Sequence, residues 1–222
     1  MVTIHHVKDY TELSKTVASL VAIPISSGRP CNLGTPTGGT PVGMYKELVS
    51  KNLNWAAVHT FNLDEYVGIS HNHPQSYHYF MQENLHSHIR FNDDHIHFPH
   101  EKYDEEINVH GSLDITILGI GTNGHIAFNE PHSRFDSVTR IVNLTEQTIK
   151  DNSRFFDTVE EVPTQAITMG LATIMNSRQI ILMASGKSKW DILCEAMWGE
   201  VTERVPASIL QRHTNLKVFY CD

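Results

Sequence analysis

Cysteine is scarce, basic residues are outnumbered and long apolar runs are missing from this 222-residue chain. Each shortage closes off a class of protein. Three cysteines, Cys31, Cys194 and Cys221, make an odd number with no C-x-x-C spacing among them. Such a set builds neither a disulfide framework nor a zinc knuckle, so reduced intracellular thiols are expected. Lys and Arg number 17 against 25 Asp and Glu, for a formal net charge of -8. That balance excludes a general nucleic-acid or anionic-membrane surface, because phosphate backbones are bound by clustered basic side chains. A small phosphorylated molecule needs only local positive charge and stays open. No apolar stretch reaches the roughly 18 residues of a membrane span, and the amino-terminal MVTIHHVKDY lacks a basic region followed by an apolar one. A cytoplasmic location is therefore expected. Internal repeats, low-complexity tracts and linkers are also missing, and one domain over residues 1–222 is expected.

What the chain has is alternation. Strand-like segments fall at 2–7, 30–34, 56–62, 114–119, 179–184 and 216–221. Between them apolar residues recur at helical spacing: Leu13, Val17, Leu20 and Val21; Met44 and Leu48; Tyr77, Phe80, Met81 and Leu85; and Ala166, Met169, Gly170, Thr173 and Ile174. Residues 190–198 and 206–213 read as the last two helices, the second with Pro206 in its first turn. Strands alternating with helices predict an α/β fold: a three-layer, Rossmann-like sandwich with a mostly parallel sheet and helices on both faces. The polar stretch from about 134 to 162 fits this alternation poorly. Lying next to a glycine-rich loop, it reads as a lid.

Chemistry-bearing residues gather at the carboxyl ends of the expected strands. Residues 114–131 read DITILGIGTNGHIAFNEP, a short strand breaking into a glycine-rich turn that then offers His125, Asn129 and Glu130. GIGTNG fits a dinucleotide fingerprint by letter, but Asn129, Glu130 and Pro131 cut off the long helix that fingerprint requires. After the strand at 30–34 comes TPTGGTP, whose backbone amides and Thr37 and Thr40 hydroxyls suit a phosphate; no Walker lysine accompanies it. After 56–62 come the adjacent carboxyls of Asp64 and Glu65, which point opposite ways on extended backbone, so at most one faces a ligand. After 179–184, Lys187 and Lys189 sit at a helix start, where a bound anion would relieve their conflict with the helix dipole. The pairs His71/His73, His86/His88 and His95/His97 bring no third ligand pattern, so no metal site is assigned. A nucleophile elbow is absent as well.

The segments LGTPTGGTP at 33–41, FNLDEYVGI at 61–69, LGIGTNGHIAFNEP at 118–131 and NSRFF at 152–156 closely resemble the isomerising glucosamine-6-phosphate deaminases. Their superfamily also holds the 6-phosphogluconolactonases, which share the sheet and a G-x-G-x-x-G-H turn. Tyr66 and Asn129-Glu130-Pro131 depart from the lactonase pattern. The resemblance implies conversion of glucosamine 6-phosphate and water to fructose 6-phosphate and ammonium, in amino-sugar metabolism, without metal or organic cofactor. It implies His125 for ring opening, Glu130 as its carboxylate partner and Asp64 as the base between C2 and C1. Asn123 stands where some relatives carry Asp, and an amide can orient but cannot take a proton. For the phosphate the resemblance implies Thr37, Gly38, Gly39, Thr40, Arg154 on the lid, and Lys189 with Lys187 close behind.

Larger relatives are hexamers activated by an acetylated sugar phosphate through a Ser, an Arg and a Lys beyond the NEP motif and a carboxy-terminal extension. Ser133 and Arg140 match, Val142 replaces the lysine, and the chain stops at Asp222. A non-allosteric short form is expected, as monomer or homo-oligomer. A lactonase-type hydrolase and an inactive sugar-phosphate sensor are the alternatives. The sensor reading is disfavoured because binding alone needs no acid-base set.

Overall fold

The computed structural model describes residues 2–153, 156 and 158–222. The chain runs β1 (Ile4–His6), α1 (Tyr10–Ser26), β2 (Cys31–Thr35), α2 (Val42–Ser50), β3 (Val58–Asn62), β4 (Asp64–Tyr66), α3 (Tyr77–Asn84) and β5 (Ile96–His97). It continues through α4 (Tyr103–Val109), β6 (Ile115–Leu118), β7 (Arg140–Asn143), α5 (Glu146–Asn152) and β8 (Gln165–Thr168). It ends with α6 (Leu171–Met175), β9 (Ile180–Ser185), α7 (Trp190–Trp198) and β10 (Leu216–Cys221). Among the described residues no helix is long and apolar enough to cross a membrane.

Seven strands form one sheet in the order β1-β10-β9-β6-β2-β3-β5, and each neighbouring pair is parallel. Strands buried on both faces are mostly apolar, as the fully buried run Ile115–Leu118 is, and its one hydroxyl, Thr116, is satisfied by Ser177 Oγ at 2.7 Å. The pleat sorts their side chains between two cores. Along β9, Ile180, Leu182 and Ala184 pack with Leu171, Ile174, Leu193 and Met197 of α6 and α7. Ile181 and Met183 pack on the opposite face with Leu13, Val17, Met44 and Leu48 of α1 and α2. Helix α1 starts where Asp9 accepts a hydrogen bond from the Glu12 amide at 2.8 Å, and Glu12 answers by accepting from the Lys8 amide at 2.7 Å. The expected α/β sandwich is thus formed.

A second sheet departs from the sequence reading. Strands β4, β8 and β7 pair antiparallel, with Asp64 opposite Thr168 and Arg140 opposite Thr168 on the other side. The helix expected across 166–174 is split: Ala166 belongs to β8, and only Leu171–Met175 is helical. A short apolar run fits either period, and pairing with β4 and β7 decides it. Gly170 marks the break, where an added Cβ would meet the Ser137 carbonyl oxygen at 2.1 Å. The polar stretch 134–162 likewise holds β7 and α5. The last expected helix is a 3-10 helix, Pro206–Arg212.

The order of the large sheet fixes where its loops meet. From β2 the chain crosses to β3 on one side, whereas from β6 it next enters the sheet at β9 on the other. Connections leaving adjacent strands in opposite directions open a crevice at their carboxyl ends, the usual ligand site of open α/β sheets.

Leu182 is fully buried at the centre of one core, while Ile141 of β7 is 53% exposed. Leu182→Ala should lower unfolding free energy by about 2–5 kcal/mol in urea titrations, and Ile141→Ser should change it by no more than about 0.5 kcal/mol.

Candidate active site

The crevice is a cavity of about 690 Å³ walled by the loops after four strands of the large sheet. The loop after β2 contributes Pro36, Thr37, Gly38, Gly39 and Thr40. Its shape is held from below by two tyrosines. Tyr45 donates to the Pro36 carbonyl at 2.6 Å. Tyr10 directs its hydroxyl at the Gly39 and Thr40 carbonyls, 3.1 and 3.0 Å away, and accepts from the Gly43 amide at 2.9 Å. Gly38 turns at φ +90, a conformation L side chains rarely adopt. Helix α2 then begins after Pro41, whose ring cannot cap it, and in its first turn the Gly43 amide is already taken by Tyr10.

The Asp64–Glu65 pair divides as strand geometry requires. Asp64 lines the cavity. Glu65 turns away and accepts from the amides of Tyr66, Tyr77 and His78 at 2.8, 3.0 and 3.0 Å, and from His78 Nδ1 at 2.9 Å. It therefore caps α3, where a carboxylate also complements the helix dipole. Burial first, and the neighbouring Glu65 second, push the Asp64 carboxyl up to about 8.

The glycine-rich loop after β6 brings in Gly119, Ile120, Gly121, Thr122 and His125. Gly121 lies under the His125 imidazole, where an added Cβ would meet ring atoms at 2.3 Å. Behind the ring stand Asn123 and Glu130. Glu130 Oε2 is 3.6 Å from His125 Nδ1, an ion-pair separation too long for a hydrogen bond, and that nitrogen is buried with no hydrogen-bond partner. Asn123 donates to Glu130 Oε2 at 2.7 Å and accepts from the His125 amide at 3.2 Å. Thr148 of α5 donates to Glu130 Oε1 at 2.5 Å. Burial pushes Glu130 up, but the adjacent imidazole and the Thr148 and Asn123 hydrogen bonds outweigh it and hold the carboxyl at about 2. Two carboxyls of one site are thus driven in opposite directions, the pattern that separates proton-moving from charge-holding groups. Ala127, also on the wall, is held at φ 49, a strained conformation for a non-glycine residue next to the site.

The end of β9 supplies Ser185 and the turn after it Lys189; Lys187 is not among the lining residues. Thr37, Gly38, Gly39, Thr40, Asp64, His125 and Lys189 are therefore brought to one cavity, with Asn123 and Glu130 supporting His125 from behind. Arg154 lies outside the described residues. The sequence reading missed Tyr10, Tyr77 and Thr148, all of which line the cavity. Tyr77 counted as part of an apolar helix face, and its phenol is kept protonated by burial. Thr148 lies in the stretch read only as polar. No local pattern marks a threonine that reaches a carboxylate 18 positions away.

The model of the family described as glucosamine-6-phosphate isomerases/6-phosphogluconolactonase matches residues 8–219. A glucosamine-6-phosphate deaminase of Thermoanaerobacter pseudethanolicus is 45% identical over 224 residues, covering 95% of this chain and 88% of the relative. One from Clostridium botulinum is 43% identical over 226 residues, covering 96% and 93%. The solved structure of a monomeric glucosamine-6-phosphate deaminase superposes with a TM-score of 0.95 at 37% identity, covering 99% of this chain and 97% of that one. A 6-phosphogluconolactonase from Thermotoga maritima shares the fold, with a TM-score of 0.80 at 19% identity and coverage of 100% and 99%. A family match over nearly the whole chain, joined to these identities, places the chain in the glucosamine-6-phosphate isomerase/6-phosphogluconolactonase family.

Proposed function

We propose that this protein converts glucosamine 6-phosphate and water to fructose 6-phosphate and ammonium. The observation that carries this reading is the meeting of Asp64 and His125 in one cavity beside an amide-rich Gly/Thr loop. Full-length relatives at 43% and 45% identity bear the deaminase name, whereas the lactonase likeness is one of fold alone.

The phosphate rests on the loop from Thr37 to Thr40 with Lys189 opposite, and Arg154 closes on it from the lid. That end fixes the sugar, so C1 and C2 lie between His125 and Asp64. His125 takes the proton of the anomeric hydroxyl and delivers it to the ring oxygen, which opens the pyranose. Glu130, ionised throughout, holds the imidazole and stabilises its charged form; Asn123 and Thr148 fix Glu130. In the empty cavity Asp64 is mostly protonated near neutral pH. The ammonium group at C2 of the incoming sugar favours its ionised form, so substrate generates its own base. Asp64 takes the C2 proton, an enolamine forms, and the proton returns at C1. Water then attacks the C2 imine and ammonium leaves.

A reading about regulation follows from the neighbouring groove, whose lining includes Ser133, Arg134, Arg140 and Val142. Arg140 is already engaged, donating to Asn129 Oδ1 at 3.0 Å and to Ser133 Oγ at 3.4 Å, and Val142 offers no charge. The groove's other guanidinium, Arg134, is paired with Asp136 at 2.7 Å, so both of its arginines are already engaged, which supports a non-allosteric enzyme. It is a monomer, as the similar deaminase structure is described to be.

Incubation with glucosamine 6-phosphate should release ammonium and fructose 6-phosphate in equal amounts, and 6-phosphogluconolactone should be left unchanged; lactone loss without ammonium would reverse the assignment. Asp64→Asn should abolish exchange of the C2 proton with deuterated water while substrate binding persists. The same variant tests the buried carboxyl. A folded value near 8 against about 3.9 unfolded means wild-type stability erodes as pH rises from about 4 to 8, by up to tenfold in the unfolding constant per pH unit. Asn never ionises, so the stability gap in its favour should widen between pH 5 and 8 and stay level above. Arg154→Ala should raise KM more than it lowers kcat in steady-state assays, since contacts remote from C1 and C2 supply binding. Substrate saturation should be hyperbolic and unmoved by N-acetylglucosamine 6-phosphate.

A further inference from the structure

Away from the cavity, the edge of the large sheet gathers histidines from three elements. His59 comes from β3, His97 from β5 and His110 from the end of α4, and none of the three lines the cavity. Each offers one ring nitrogen, and the three nitrogens all lie within 4.8 Å of one another. We infer that His59, His97 and His110 form a binding site for one divalent late first-row transition ion, of which zinc is the type.

The proton pattern around the cluster supports this. His97 Nδ1 is 2.7 Å from the Glu106 carboxylate, which only accepts, so the proton is on Nδ1 and Nε2 presents its lone pair. His110 Nδ1 is 3.0 Å from the Glu106 main-chain carbonyl, which fixes the same tautomer there. One residue, Glu106, therefore sets both rings, the carboxylate–imidazole arrangement that orients metal-bound histidines and raises their basicity. The second oxygen of Glu106 meets His100 Nε2 at 2.9 Å, which steadies the carboxylate. His59 Nδ1 lies 2.9 Å from His97 Nε2 and donates to it. When an ion enters, the His59 proton moves to Nε2 and its Nδ1 turns to the metal, with no net change in charge on the ring.

Geometry asks for modest adjustment. Metal–nitrogen bonds of about 2.0–2.1 Å in a tetrahedron place ligand nitrogens about 3.4 Å apart. The His59–His97 pair opens slightly and side-chain rotation draws the third nitrogen in. His95, stacked on His59 at 3.9 Å, screens one side, while partly exposed His59 and His110 leave an entry path. An all-imidazole set suits zinc, nickel, copper or cobalt and not the oxygen-seeking magnesium or calcium. Three ligands leave one position for water. With ligands on β3, β5 and α4, the ion pins the outer strand and its helix to the sheet.

The full chain, stripped with chelator, should bind one equivalent of ZnCl2 by calorimetry and gain thermal stability, while MgCl2 does neither. CoCl2 should give the intense visible bands of tetrahedral cobalt. Glu106→Gln should weaken zinc binding about 10–100-fold. His110→Ala should abolish it, with deaminase turnover retained as the sign of a native fold. His59→Gln, partly exposed, serves if His110→Ala does not fold. His71→Ala and His88→Ala, outside the cluster, should leave zinc affinity unchanged. No stoichiometric zinc with wild type, an octahedral cobalt spectrum, or undiminished affinity in the cluster variants would overturn the site and leave a hydrogen-bonded imidazole stack.

Discussion

Strands β2 and β6 pair in parallel through Leu33 with Ile115 and Gly34 with Thr116, and the cleft exists because of that seam. Gly34 must be glycine or nearly so, since a Cβ there would fall 2.6 Å from Thr116 Oγ1. At the amino end of the seam Asn32 binds both strands together. Its amide donates to Asp114 at 2.8 Å, and its side chain donates to the carbonyls of His110 and Ser112 at 2.7 and 2.8 Å. With that register set, the Gly/Thr loop and the glycine-rich histidine loop emerge side by side. Flanking strands β3 and β9 then deliver Asp64 and Lys189 to the same opening. A one-residue slip would turn every side chain of β6 to the opposite core, so the two cores on the faces of the sheet hold the site in place.

Electrostatics refine what topology assembles. Three carboxylates lie in or beside the cleft, and each has a different environment. Glu65 is sated by three amides and an imidazole at the start of α3, and it is unavailable to a ligand. Glu130 is ringed by donors and kept ionised. Asp64 is buried beside Glu65 and driven toward its neutral form, which makes it responsive to a positive charge on the sugar. Three carboxyl groups thus become a helix cap, an ionised partner of an imidazole and a neutral acid, because desolvation and hydrogen bonding differ across a few ångströms.

The second sheet and the histidine cluster carry a common lesson about legibility. Strands β7 and β8 hold polar or mixed residues whose periodicity is ambiguous; β8 is a strand because β4 and β7 flank it, and β7 because β8 offers it an edge. The histidines of the cluster lie at 59, 97 and 110, spacings that match no ligand motif. The pairs that do stand out in the sequence, such as His95 and His97, contribute one ring to the cluster and one to its screen.

The sequence by itself determined the parallel core, because strands buried on both faces are short, β-branched-rich runs without polar alternation, and the segment Ile115–Leu118 is one. It also determined where chemistry sits, because glycine-rich turns and unpaired polar residues at strand ends are local signals. The division of labour between Asp64 and Glu65 was half legible: alternation says that one faces the cleft, and only the position of α3 says which. Tyr10, Tyr77 and Thr148 were not legible at all. Their roles depend on distances between segments far apart in the chain, which folding sets through sheet order and helix packing, and no local pattern records them.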